Sequence, residues 1–295
     1  MFSFLRKRRL PAAIAQRIEP PVPPSPVVVA AAPPAKPSIP AAGYAPSPVP
    51  VPHVDALADE DLAELNAIID WNCFTVDSRG RRFGNLAWSG KRADPQEIPD
   101  RRIVMFDKRF GLAGKTVLEV GCFEGVHTIA LCQRAGSVKA VDSRISNVVK
   151  TTVRANFHGQ RPIVFVHDLE SEPADPAPLA ADLMHHVGVL YHLSDPVAHV
   201  LGVGRYIRQG IMLDTHVAEE SSCNAEYESC GRRVRYQRFH EGGKREAFSG
   251  MLDHAKWITL ETLEGLLRDA GFPNVETVER RAERNGPRVL IFASK

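Results

Sequence analysis

The chain has 295 residues, 44% of them apolar, enough for one large buried core with appendages. Its formal charge of +2 is concentrated at one end: residues 1–52 carry six basic residues and one acid, so they are +5 and the rest is −3, a mildly acidic body that neither demands nor excludes nucleic acid. Five cysteines, an odd set without C-x-x-C spacing, exclude a disulfide framework and a structural zinc site.

Residues 1–52 hold 14 of the 23 prolines, mixed with Ala and Val. Such a stretch stays extended and cannot bury enough surface to fold, so a disordered tail is predicted. Arg6, Lys7, Arg8 and Arg9 beside Phe2, Phe4 and Leu5 are a weak signal for peripheral contact with an anionic membrane, set against a plain solvated tail. Pro11 interrupts any apolar signal core and no run reaches spanning length, so a cytoplasmic protein is expected.

Residues 53–110 are expected to form a helical and irregular extension. Leu57, Leu62, Leu65, Ile68 and Ile69 recur at helical spacing over 55–70, with acids early in the helix. From 71 to 100 no period holds. There Trp71, Phe74, Phe83 and Trp88 read equally as a cap over a pocket and as packing of the extension onto the main domain.

From 111 to 295 strand and helix patterns alternate as in a doubly wound parallel sheet. Strands are predicted near 115–120, 138–142, 162–167, 182–187 and 210–215, and helices near 125–135, 144–157, 195–207 and 260–270. Two last strands, near 274–281 and 287–293, flank the turn Arg284-Asn285-Gly286-Pro287 as an antiparallel hairpin at the sheet edge. The predicted fold is therefore α/β, Rossmann-like and seven-stranded. Residues 217–257 show no clear period and include the basic run Arg232-Arg233-Val234-Arg235. They are too long for a simple connection, so a lid or substrate-binding insertion is the expectation.

Open α/β sheets bind ligands at the carboxyl ends of their strands. Four successive predicted ends carry chemistry here. Glu119 lies at the end of the first, followed by the turn Gly121-Cys122-Phe123-Glu124-Gly125, whose glycines let the backbone approach a ligand. Asp142 and Ser143 close the second, where a carboxylate accepts from both hydroxyls of a ribose. Asp168 and Leu169 close the third, where an acid accepts from an adenine amino group. His185-His186-Val187 ends the fourth. An acid for an ammonium group, one for a ribose and one for adenine together suit S-adenosylmethionine. The spacing does not fit the G-x-G-x-x-G of nicotinamide-binding proteins.

Leu118-Glu119-Val120-Gly121-Cys122-Phe123-Glu124-Gly125 resembles the first motif of the class I S-adenosylmethionine-dependent methyltransferases, a likeness covering roughly 106–292. The resemblance implies that Gly121, Cys122, Phe123 and Gly125 pack on the methionine part of the cofactor and that Asp142, with Ser143 beside it, holds the ribose. It puts Asp168 and Leu169 by the adenine and Val187 at the edge of the same site. Gly188-Val189-Leu190-Tyr191-His192-Leu193-Ser194-Asp195-Pro196 looks like the branch that carboxymethylates the wobble uridine of transfer RNA. In that branch the tyrosine matching Tyr191, with an arginine, binds the carboxylate of a carboxylated cofactor. Ungapped matching puts Asp253 in the arginine's place, where an acid would repel that carboxylate, so ordinary S-adenosylmethionine is the expected cofactor.

Methyl transfer from a sulfonium requires alignment of a nucleophile and exclusion of water, and a base only where the acceptor loses a proton. His186, Tyr191 and His192 are the candidate catalytic residues, each with packing or capping as the alternative. No metal is expected, because the neighbours His185 and His186 point to opposite faces of a strand. The acceptor stays open: a small molecule, a glycan or similar, with a transfer RNA wobble uridine as one alternative. The other is a non-catalytic scaffold that uses the Pro-rich tail as a docking segment. Oligomeric state is not readable from the sequence.

Overall fold

A short-range logic governs the start of the chain, where apolar residues at helical or alternating spacing fold back on one another. The structure, a computed structural model, describes residues 43–85, 94–170 and 175–295. Helices α1 (Pro52–Asp55) and α2 (Asp59–Ile68) lead into a small hairpin of β1 (Phe74–Val76) and β2 (Arg82–Gly84), followed by α3 (Arg101–Phe110). Trp71 and Phe83 are buried in a local core with Val51, Val54, Leu62 and Leu65, and Phe157 packs against it. Of the two readings of these aromatics, packing is what the fold adopts for Trp71, Phe74 and Phe83. Trp88 lies outside the described residues.

The expected tail runs through residue 52; residues 1–42 lie outside the described residues, but residues 43–50, half exposed, already run against the folded body, with backbone bonds from Tyr44 to Gly80 and from Ser47 to Asp77. Tyr44 sits 5.0 Å from Phe74, and Val51 and Val54 are buried. Apolar side chains between prolines can dock on a neighbouring surface even where they cannot build a core of their own. Helix α3 was not anticipated, because only Ile103 and Phe106 on it are buried and its remaining face is largely charged. Its start was legible all the same: Asp100 caps the helix, its carboxylate accepting from the Arg102 amide at 2.8 Å.

The main sheet contains β3 (Thr116–Val120), β4 (Ser137–Asp142), β5 (Ile163–Val166), β6 (Ala181–Val187) and β7 (Ile207–His216). Helices α4 (Val126–Cys132), α5 (Ile145–Phe157) and α6 (Pro196–Val203) connect the parallel strands. After the insertion strands β8 (Ala225–Ser229), β9 (Arg232–His240) and β10 (His254–Ile258), helix α7 (Leu260–Asp269) leads to β11 (Asn274–Glu283) and β12 (Gly286–Ser294). The strand order is β11-β12-β7-β6-β3-β4-β5, with β12 antiparallel to both of its neighbours and β7, β6, β3, β4 and β5 mutually parallel. The seven predicted strands and the closing hairpin are all present. Reversal of strand order between β3 and β6 opens the crevice where such sheets bind ligands.

The stretch 217–257, expected as a lid or substrate-binding insertion without clear period, contains a three-stranded antiparallel sheet, β10-β9-β8. Its sequence hid the strands because their buried positions are few and widely separated: Val234 and Tyr236 join the main core, while arginines occupy the outer face. Stacked rings anchor it, with Trp257 lying 4.5 Å from both Phe239 and His216. The hydroxyl of Ser229 also donates to Asp195, the cap of α6, at 2.6 Å.

Candidate active site

A cavity of about 790 Å3 opens at the carboxyl ends of β3, β4 and β6, a size suited to a cofactor and a small acceptor together. Its first half is built by backbone turns. Gly121 adopts φ 73°, and a Cβ there would meet Val189 Cγ2 at 2.3 Å, so only glycine fits. Phe123 is held left-handed at φ 51°, which lets its amide donate to Asp142 Oδ2 at 3.1 Å. Asp142 also accepts from the Arg144 amide at 2.9 Å and from Asn147 Nδ2 at 3.1 Å. Burial raises its carboxyl above the usual range against these bonds. Ser143, Asp168, Leu169, Val187 and Cys122 line the same cavity.

One expected cofactor residue takes another place. Gly125 does not line the cavity; it caps α4 at φ 81° and lets Thr151 pack close behind the turn. Glu119 lies at the cavity floor, but its carboxyl is 1% exposed and accepts from Thr128 Oγ1 at 2.5 Å. Burial pushes it up to about 8.

Glu124, inside the glycine turn, was not singled out by the sequence. Fully buried, it accepts from the Asn72 and Cys73 amides at 2.7 and 3.0 Å and pairs with Lys150 at 3.0 Å and Arg154 at 3.5 Å. It ties the N-terminal extension to the cofactor turn. Arg144 ties the insertion to it as well: its guanidinium donates to the carbonyls of Ala247, Ser249 and Gly250 at 3.1, 2.8 and 3.2 Å. Phe248 in that loop lies 5.3 Å from Phe123, closing the cavity over the turn.

The second half of the cavity is built by side chains. His192 projects into it, and its Nδ1 lies 2.7 Å from Glu241 Oε2, which also accepts from the Gly250 amide at 3.1 Å. Tyr191 lines the wall beside it; burial pushes its phenol up despite the pull of Arg288, which suits a wall rather than a base. Arg102 reaches Asp100 with Nε and Nη2, both at 2.9 Å. Arg281 donates to Asp214 at 2.7 Å, and Arg288 donates to Asp214 as well. The guanidinium groups beside Asp214, with Arg288 foremost, hold its buried carboxyl below its usual range.

His186 is a correction. It is 2% exposed, is not part of the cavity wall, and faces His199, with Nε2 atoms 3.1 Å apart. Alternation along β6 turns it to the far face of the sheet, so it has no access to an acceptor. Asp253 is another correction, since its side chain is 71% exposed and pairs with His254 on the surface. It does not face Tyr191; Arg288 does, 5.9 Å from that ring and already engaged by Asp214. The sequence singled out neither Arg288 nor Glu241, which lie 97 and 50 positions beyond Tyr191 in the chain and reach it only through β12 and the insertion sheet.

A glycine turn and acids at successive strand ends of a sheet in this order define the class I S-adenosylmethionine-dependent methyltransferases. Residues 91–277, well over half of the chain, match a family of methyltransferase domains, and the chain belongs to that family. It is 29% identical over 128 residues to the ubiquinone biosynthesis O-methyltransferase of Pseudomonas paraeruginosa, covering 39% of this chain and 49% of that protein. It is 34% identical over 112 residues to the tRNA U34 carboxymethyltransferase of Methylococcus capsulatus, covering 37% of this chain and 34% of that protein. The chain thus matches about half the length of the first relative and a third of the second. In fold it is similar to the N-terminal domain of EvdMO1 solved in the presence of S-adenosylhomocysteine and D-fucose. That likeness has a TM-score of 0.64 and 22% identity, and covers 82% of this chain and 98% of that one. Among the described residues no helix is long and apolar enough to cross a membrane.

Proposed function

We propose that the protein transfers a methyl group from S-adenosylmethionine to a hydroxyl of a neutral, hydroxyl-rich small molecule such as a sugar. The carrying observation is the acceptor wall, where three arginines are matched with three carboxylates: Arg102 with Asp100, and Arg281 and Arg288 with Asp214 and Glu283. Such pairs offer donors and acceptors side by side without net charge, which suits hydroxyls better than an anion. The EvdMO1 domain, solved with D-fucose, is consistent with this class of acceptor.

S-adenosylmethionine supplies a methyl group already activated on a sulfonium. In this reading Asp142 accepts from the ribose hydroxyls, Asp168 and Leu169 flank the adenine, and the Gly121–Phe123 backbone borders the methionine part. The loop held by Arg144 and Phe248 excludes water. His192 takes the proton of the acceptor hydroxyl on Nε2 as the new bond forms, while Glu241 accepts from Nδ1–H and so fixes the tautomer and the ring plane. Tyr191 packs against the His192 ring, 4.2 Å away, and limits its rotation. A cytoplasmic location goes with this reading, since all five cysteines are free.

A transfer RNA acceptor is less well supported. The outward arginines of β9 are spent on surface pairs, Arg232 with Asp269, Arg233 with Glu226 and Arg235 with Glu220, rather than left for phosphates. The deciding experiment offers methyl-labelled S-adenosylmethionine with pools of sugars and nucleotide sugars, and separately with total transfer RNA. Label in the sugar pool, lost with His192→Ala, is the expected result. Label in RNA alone overturns the acceptor class, and no calorimetric binding of S-adenosylhomocysteine overturns the whole reading.

A further inference from the structure

Glu119 and His185 stand directly opposite each other on β3 and β6, so their side chains leave the sheet on the same face. His127, in the first turn of α4, comes down on that face just after the glycine turn. One ligand atom from each of the three lies within 4.8 Å of the others. The sequence offers no metal-ligand spacing here, since the residues are 8 and 58 positions apart in the chain.

His185 points to a ligand in its own right. It is 1% exposed, and neither ring nitrogen has a hydrogen-bond partner among the described residues. An imidazole buried this way forfeits the bonds it makes in water, a cost that native structures rarely leave unmet. Glu119 has a similar deficit: a buried carboxyl with the Thr128 hydroxyl as its hydrogen-bond partner and no ion pair among the described residues. His127 Nε2 lies 3.5 Å from Asp100 Oδ2, a carboxylate contact of the kind that orients metal-bound imidazoles through their second nitrogen, and 3.4 Å from Arg102 Nη2 of the same ion pair.

We propose that Glu119, His127 and His185 bind one divalent transition-metal ion, of the kind that prefers imidazole and carboxylate together. Two imidazoles and one carboxylate suit zinc, cobalt or nickel far better than magnesium or calcium. Bonds of about 2.0–2.1 Å in tetrahedral geometry set ligand atoms roughly 3.3 Å apart, so from separations within 4.8 Å the groups close by up to about 1.5 Å on binding. Three protein ligands leave a fourth position, and it opens toward the cavity, which Glu119 and His127 line. The plain alternative is that His185 is a neutral filler against Phe106, 6.2 Å away, and that the cofactor's ammonium group claims Glu119.

The test uses the full chain without an affinity tag, stripped with a chelator, then given zinc or cobalt alone, desalted and measured by mass spectrometry for metal and by visible absorption for cobalt. About one ion per chain is expected, with tetrahedral cobalt bands. His185→Gln and His127→Gln should each lose both, while His199→Gln, a buried histidine outside the cluster, keeps them; circular dichroism confirms the fold of each. His127 is partly exposed, so its variant decides the matter if His185→Gln fails to fold. Less than about a tenth of an ion per chain, equal retention by His127→Gln, or expulsion of the ion by saturating S-adenosylhomocysteine each overturns the proposal.

Discussion

The two halves of the cavity are made in different ways. The cofactor half is contiguous: Gly121, Phe123, Asp142 and Asp168 follow three neighbouring strands, and backbone amides do much of the holding. The acceptor half collects Asp100 from the start of α3, His192 from the turn after β6 and Arg288 from β12, with Glu241, just past β9, bonded to His192. One half is shaped by turn geometry and tolerates little change; the other is a set of side chains gathered from separate elements. A family can therefore keep its cofactor and change its acceptor.

The comparison can be broken or sharpened by substitution. His192→Ala should lower kcat by about 10² to 10⁴ while leaving the affinity for S-adenosylhomocysteine within about twofold, measured by steady-state kinetics and calorimetry on the same preparation. A parallel loss of affinity would show that the halves are not separable. Glu124→Gln removes the acid shared by Lys150 and Arg154, leaving buried charges unmatched; a loss of roughly 3–5 kcal/mol in denaturant unfolding is expected. Asp142→Ala should weaken S-adenosylhomocysteine binding about 100-fold, through two lost charge-assisted hydrogen bonds, and should also lower the thermal midpoint of the ligand-free protein, because the Phe123 and Arg144 amides and Asn147 lose their acceptor. Arg144→Ala frees the 247–250 carbonyls and should speed S-adenosylhomocysteine release several-fold, with faster amide exchange confined to that loop.

Glu119 provides a pH test. Burial raises its carboxyl from 4.5 to about 8, so the folded protein keeps a proton that the unfolded chain releases over that interval. Stability is then full below about pH 4.5 and declines as pH rises toward about 8. In chelator-treated, cofactor-free protein Glu119→Gln should flatten this decline in denaturant titrations. An unchanged slope would mean that another cationic partner holds the carboxylate in the folded state.

Much of the cofactor half was legible in the sequence because its determinants are local. An apolar run, a glycine that must adopt positive φ and an acid at the strand end lie within ten residues of one another. Phe123 was readable for that reason, and Asp142 because it closes an apolar run of its own, although the bond between them was not. His186 was misread because a strand end was visible while the face each side chain takes depends on register with β3 and β7. Asp253 was misread because an ungapped match ignored the hairpin that carries it to the surface.

By itself the sequence determined the α/β alternation, the closing hairpin and the strand-end acids, since helix period, strand length and turn chemistry act between near neighbours. Only the tertiary structure decided which charges meet. Arg288 finds Asp214 across an antiparallel pair, Glu241 reaches His192 from an inserted sheet, and His185 comes beside Glu119 through a parallel register. Those contacts depend on burial and strand pairing across tens of residues, where the free energy of taking charges out of water selects the partners.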